Sequence, residues 1–147
     1  MDSLIEKKHI QIQAEATDWR EAIRAAGSLL VKSSCIEEGY IESMIRAVEE
    51  LGPYMVILPG FALAHAAPSA DVHQDAMSLV TLRSPVNFGS AENDPVRVVL
   101  CLSCVDRESH IASLQRVATV LMEDDMVDKL AAAGSVEEIQ TLLTQKD

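Results

Sequence analysis

The stretch VRVVLCLSCV, residues 96–105, decides the fold because it is nearly all β-branched or apolar. A continuous apolar run of this length is typical of a strand buried on both faces, so we expect it near the centre of a sheet. Asp106 and Ser109 follow and predict the start of a long helix. The apolar stripe predicted for that helix consists of Ile111, Leu114, Val117, Ala118 and Leu121.

The residues on either side alternate between strand and helix patterns. The predicted elements are a strand in 9–16, helices in 18–32 and 36–51, strands in 54–60 and 76–86, an exposed loop in 87–95, and two short C-terminal helices in 124–134 and 135–145. The order β-α-α-β-β-β-α-α-α predicts an α/β sandwich with a mixed sheet. With 147 residues, the chain is expected to form one domain, 1–147.

Charge and hydropathy limit the classes of partner. The formal net charge is −11, and no stripe of Lys or Arg is present to neutralise phosphates, so nucleic acid is not an expected ligand. A basic protein partner fits the charge better. No apolar run reaches the length of a membrane span, and the first residues lack the apolar core of a secretory signal. We therefore expect a cytoplasmic protein without direct membrane insertion.

Three cysteines, an odd number, favour free thiols over a disulfide scaffold. Cys101 and Cys104 form a CxxC pattern, but within a strand residues three apart point to opposite faces. We interpret them as two core or half-buried thiols, and Cys35 with the scattered histidines supplies no second zinc pair. GxGxxG and GxxxxGK[ST] are both absent, so no cofactor or metal is predicted.

Two of the four histidines stand out by position. His9 and His73 are expected to face solvent, whereas His65 and His110 each follow an apolar strand segment. In open α/β sheets, ligand chemistry collects at the carboxyl ends of the strands. If the two strands are parallel neighbours, both imidazoles lie at one rim of the sheet.

Paired imidazoles without a neighbouring serine, cysteine or metal set have few chemical uses. One can carry a phosphoryl group covalently while the other stabilises its charge, helped by Ser109 and by N–H groups at the helix start. The alanines around His65 would leave space for a protein partner. An ordinary exposed histidine is the alternative for His65. Ser109 can equally be a helix cap, and Asp106 can either orient an imidazole or begin the helix.

The segments GPYMVILPGFALAHAAP (52–68) and SLVTLRSPVNFGSAENDPVRVVLCLSCVDRESHIASLQRVATVL (78–121) carry a family resemblance. They resemble the enzyme IIA proteins of the mannitol/fructose type in the bacterial sugar phosphotransferase system (PTS), most of all the L-ascorbate-specific ones. The resemblance implies a single EIIA type-2 domain with a mixed, mainly parallel sheet flanked by helices on both faces.

The resemblance also implies a function, that of a phosphotransferase component with a phosphohistidine intermediate. His65 would accept a phosphoryl group on Nε2 from the phosphocarrier HPr, His110 would stabilise it, and a cysteine of a IIB protein would receive it while the membrane component IIC imports the sugar. Two alternatives are a docking module that regulates a transporter or transcription regulator, and a thiol or metal protein that uses Cys101, Cys104 and His110.

The chain departs from the family pattern at three positions. Ala64 stands where relatives commonly have proline, and Ala67 stands where ascorbate-type members often have arginine. Arg46 lies one position from the arginine that mannitol-type members place in the preceding helix. Fewer cations would weaken stabilisation of the phosphoryl charge, by roughly 1–3 kcal/mol for one charge-assisted contact.

Overall fold

The computed structural model describes residues 4–144 as a five-stranded sheet with helices packed against it. The strands are β1 (Ile10–Ala14), β2 (Val56–Leu58), β3 (Phe61–Ala64), β4 (Ala76–Val86) and β5 (Val96–Ser103). The helices are α1 (Trp19–Lys32), α2 (Glu38–Leu51), α3 (Arg107–Leu121), α4 (Met126–Ala132) and α5 (Val136–Leu143), and a 3₁₀ turn (Lys7–His9) precedes β1. The single α/β domain predicted from the sequence is confirmed.

The strand order is β1-β4-β5-β3-β2, which places β5 at the centre as predicted. β1 pairs with β4 and β3 pairs with β5 in parallel, whereas β4–β5 and β2–β3 are antiparallel. The mixed sheet is confirmed. Two of the four strand pairs are parallel, which is a smaller share than the resemblance implied when it indicated a mainly parallel sheet. The other two pairs are antiparallel because short connections join β2 to β3 and β4 to β5.

Apolar residues fill a core on each face of the sheet. α1 and α2 cover one face, where Ala62, Val99 and Cys101 point, and α3, α4 and α5 cover the other, where Phe61 and Leu100 point. β5 therefore contributes alternate side chains to both cores. The prediction of helices on both faces is confirmed.

The helix starts follow the capping residues in the sequence. Asp18 accepts a hydrogen bond from the Glu21 N–H at the start of α1, and Ser135 does the same for Glu138 at the start of α5. The predicted core stripe of α3 is partly wrong. Ile111 is 48 % exposed and Ala118 is also exposed, because α3 packs through Val117 and Val120, with Leu114 and Leu121 partly buried.

The strand β3 is a correction to the sequence interpretation, which treated these residues as a loop. Pro59 and Gly60 form a two-residue connection between β2 and β3, and Gly60 has the positive φ of 79° that such a turn requires. The pattern Pro-Gly was interpreted as the end of a strand, but here it joins two antiparallel strands.

His9 is a second correction, because it is buried, with 4 % exposure, instead of facing solvent. It lies in the 3₁₀ turn, where Nε2 is 2.9 Å from Ser33 Oγ. The prediction for His73 is confirmed, since it is exposed and pairs with Glu37. No helix among residues 4–144 combines the length and apolar character needed to cross a membrane.

Candidate active site

His65 and His110 lie together at the carboxyl ends of two parallel strands. His65 follows β3, and His110 lies in the first turn of α3, which follows β5. β3 and β5 are in register from Phe61 opposite Val98 to Ala64 opposite Cys101, so the two strands end at the same edge of the sheet. The ring centroids of the two histidines are 5.5 Å apart. The shared rim was expected from a strand at 54–60 lying beside the strand that is now β5. The strand that lies beside β5 is β3.

A backbone carbonyl fixes the tautomer of His65. Nδ1 lies 2.7 Å from the carbonyl oxygen of Leu63. A carbonyl can only accept, so Nδ1 carries the proton in this hydrogen bond. In the neutral ring, Nε2 then holds the free lone pair. The arrangement presents Nε2 as a nucleophile.

Burial lowers the pKa of His65 below its usual value of 6.5, because the partly desolvated site disfavours the charged ring. The hydrogen bond to Leu63 acts in the opposite direction, and the nearby His110 lowers the pKa further. The neutral, nucleophilic form of His65 therefore prevails at neutral pH.

Two tyrosines support the His65 segment. Tyr54 donates a hydrogen bond from its hydroxyl to the His65 carbonyl at 3.0 Å, and its ring meets the imidazole edge-on with centroids 5.4 Å apart. Tyr40 lies beneath, 1 % exposed, and its hydroxyl contacts the backbone of Ala66 and Leu102. The sequence analysis gave neither tyrosine a role in the site, although Tyr54 lies within the segment 52–68 that carries the family resemblance.

Asp106 caps the start of α3, which is one of the two roles considered for it. Its side chain accepts the Ser109 N–H at 2.8 Å, and Ser109 Oγ faces back toward the Asp106 N–H, so the pair forms a capping box. These hydrogen bonds lower the pKa of Asp106. Ser109 Oγ also lies 3.0 Å from Asp75 Oδ1. The Asp106 carboxylate therefore holds the Ser109 N–H, and a role for the helix-start N–H groups in binding a phosphoryl group stays a prediction.

Arg46 is exposed on α2. Within residues 4–144, no hydrogen bond joins a lysine or arginine to either imidazole, and the imidazole next to His65 is that of His110. Ala64 is fully buried in β3, where its methyl group packs in the α1/α2 core, and Ala67 is exposed.

The thiols take no part in this site. Cys101 and Cys104 are free and buried, and they belong to the cores on opposite faces of the sheet, as predicted. Burial raises the pKa of Cys101 to about 12 and also raises that of Cys104. In the described part of the chain, no three His, Cys, Asp or Glu side chains cluster as a metal site.

Comparison with known proteins gives consistent matches over the whole fold. Residues 3–146 match the family model described as phosphoenolpyruvate-dependent sugar phosphotransferase system, EIIA 2. The ascorbate-specific PTS system EIIA component of Escherichia coli K12 is 35% identical over 143 residues, which are 97% of this chain and 93% of that protein.

Two solved structures show the same architecture. The solution structure of the mannitol-specific cryptic phosphotransferase enzyme IIA CmtB from Escherichia coli has a TM-score of 0.85 at 28% identity, covering 95% of each chain. The complex of enzyme IIAMtl with phosphorylated enzyme IIBMtl from Escherichia coli has a TM-score of 0.82 at 26% identity, covering 95% of this chain and 96% of the other.

Proposed function

The chain belongs to the EIIA 2 family of the phosphoenolpyruvate-dependent sugar phosphotransferase system, and we propose that it carries a phosphoryl group on His65. In this proposal, residues 1–147 act as one EIIA domain that accepts the group from HPr and passes it to a cysteine of a IIB protein. The membrane component IIC then imports the sugar as it is phosphorylated. A protein that meets these partners acts in the cytoplasm.

The observation that carries the proposal is the hydrogen bond from His65 Nδ1 to the Leu63 carbonyl. It directs the lone pair of Nε2 away from the strand end. The Nε2 lone pair attacks phosphorus in line as the bond to the donor breaks. The ring becomes positively charged on phosphorylation, and the Leu63 carbonyl then stabilises the Nδ1 proton that remains.

Onward transfer reverses these events. A IIB thiolate attacks phosphorus, the P–Nε2 bond breaks, and its electron pair returns to Nε2, which restores the neutral imidazole. His110, with its ring 5.5 Å from that of His65, can donate a hydrogen bond to a phosphoryl oxygen in both directions. Ser109 stays with Asp75 and Asp106 as part of the helix cap in this scheme.

The sugar assigned by similarity is ascorbate. Its support is the 35% identity to an ascorbate-specific component over nearly the full length of both proteins. The complex of a related IIA with a phosphorylated IIB supports a IIB protein as the receiver. Transfer to an ascorbate-type IIB at least about tenfold faster than to a mannitol-type IIB would test this assignment, and the reverse preference would overturn it.

The central experiment is incubation with enzyme I, HPr and phosphoenolpyruvate, followed by mass spectrometry. We expect an acid-labile gain of one phosphoryl group, which His65→Ala abolishes. His73→Ala is the matched control, since His73 is exposed and its ring pairs with Glu37 instead of with His65 or His110. A phosphoryl gain retained in His65→Ala would refute the assignment. Recovery of a transcription or transport regulator, with no transfer to IIB, would favour the regulatory alternative.

A further inference from the structure

One buried hydroxyl group joins the two chain segments that carry the histidines. Tyr40, on α2, places its hydroxyl 2.7 Å from the Leu102 carbonyl oxygen and 3.0 Å from the Ala66 nitrogen. The Ala66 carbonyl lies slightly farther away, at 3.2 Å. The single hydroxyl proton is donated to Leu102 across the shortest contact, and the oxygen accepts the Ala66 N–H.

The Tyr40 hydroxyl lies just beyond the point where the direct pairing of β3 with β5 ends. Direct pairing runs from Phe61 opposite Val98 to Ala64 opposite Cys101. In the same register, Ala66 would lie opposite Ser103, and a parallel ladder would join its N–H to the carbonyl of Leu102. The Tyr40 hydroxyl stands between those two groups and takes the place of the missing bond.

The bridge separates the two strands just where the histidines emerge. His65 precedes Ala66, and Leu102 lies four residues before Asp106, which begins the helix of His110. Because two hydrogen bonds in series replace one, the strand ends are held apart at a defined distance. A phosphoryl group bound to one histidine and touched by the other needs such a gap.

We propose that Tyr40 is a positioning residue, whose hydroxyl sets the distance between His65 and His110. The effect of Tyr40 on the transfer rate rests on the proposed phosphoryl transfer. Its effect on the distance between the two rings does not. Tyr40 lies beneath the backbone and contacts neither imidazole, so it takes no chemical part in the reaction. Tyr54 differs, since it contacts the imidazole itself and is 38 % exposed.

Tyr40→Phe removes only the oxygen and keeps the ring in the core. We expect kcat for transfer from phosphorylated HPr to fall about tenfold or more, because displacement of a reacting group by about 1 Å can cost 10²-fold. The KM for HPr should stay within about twofold, since the docking surface is unchanged. Ile45→Val is the matched control: it removes a methylene from the buried face of the same helix without a polar contact.

A second measurement does not depend on phosphoryl transfer. In the unmodified protein, NMR titration should show a pKa of His65 below 6.5. The neighbouring His110 contributes part of this lowering. Tyr40→Phe should lower that pKa further, because the strand ends would close and bring the His110 ring nearer, and Ile45→Val should leave it unchanged.

The outcomes separate the two proposals. An unmodified protein that receives no phosphoryl group from HPr would contradict the proposed function, and the NMR titration would still decide the role of Tyr40. A Tyr40→Phe protein with an unchanged pKa of His65 would overturn the positioning role. The positioning role would also be overturned if, at equal stability, Tyr40→Phe lowered the transfer rate no more than Ile45→Val does. The hydroxyl would then contribute to folding alone.

Discussion

The imidazole rings of His65 and His110 are 5.5 Å apart between centroids and tilted by 44°. Neither ring lies flat on the other, so both can direct a nitrogen toward a group held between them. In the proposed reaction, the tautomer fixed by Leu63 makes Nε2 of His65 the attacking atom, and His110 would contact the phosphoryl oxygens.

Replacement of His110 should separate acceptance of the phosphoryl group from its release. His110→Ala should still be phosphorylated on His65, but transfer to IIB should slow by roughly tenfold to a hundredfold, because one charge-assisted hydrogen bond is lost. Rapid-quench kinetics with a IIB protein measures both steps. A transfer rate equal to that of the unmodified protein would show that His110 is a bystander.

The rate of acceptance should depend on pH through His65. Only the unprotonated Nε2 can attack phosphorus, and burial lowers the pKa of this ring below 6.5. As pH falls, the rate should therefore reach half its maximum at a pH below 6.5. The measurement is the initial rate of phosphorylation at several pH values, with enzyme I and HPr in excess. A midpoint at or above pH 6.5 would contradict the prediction.

The close approach of α1 and α2 depends on a glycine. A Cβ atom at Gly27 would lie 2.6 Å from Ile41 Cγ1, which is too close for any real contact. Gly27→Ala should lower the free energy of unfolding by roughly 1–3 kcal/mol, even though alanine favours helix. Urea denaturation gives the value. Gly134→Ala is the control, because a Cβ atom there meets nothing within 4 Å, and equal losses in both variants would refute the packing argument.

The three thiols should resist reagents in the folded protein. All are buried, and burial raises the pKa of Cys101 and Cys104, so little thiolate is present at neutral pH. Iodoacetamide should therefore modify them slowly until denaturant is added, when three groups should react. Mass spectrometry after oxidation should find no Cys101–Cys104 disulfide, because the two side chains point to opposite faces of the sheet. Detection of that disulfide in folded protein would contradict the arrangement.

Much of the fold could be predicted because local signals and tertiary structure agree. β4 has the predicted bounds, β5 begins where predicted, and α1 begins one residue after its predicted start. β3 was missed because its four residues follow Pro-Gly, which is equally typical of a loop. What makes Phe61–Ala64 a strand is pairing with β5, a contact between distant parts of the chain.

The site was predictable in its main pair but not in its surroundings. The sequence indicated His65 and His110 through their positions after apolar segments. It predicted that Asp106 and Ser109 begin α3, but it could not show that Ser109 also contacts Asp75 or that Tyr40 reaches two backbone segments. His9 was misjudged because Ser33, its hydrogen-bonding partner, is 24 residues away.

The strand order has a consequence for synthesis of the protein on the ribosome. β5 is the central strand, and it supplies the partner of both β3 and β4, yet it is the last strand in the chain. A nascent chain that ends before residue 96 already contains His65, but β3 can then pair only with β2 and lacks β5, which joins it to the rest of the sheet. His65, the proposed phosphoryl acceptor, should therefore become competent only after β5 has been synthesised, and chains that end before residue 96 should not be phosphorylated.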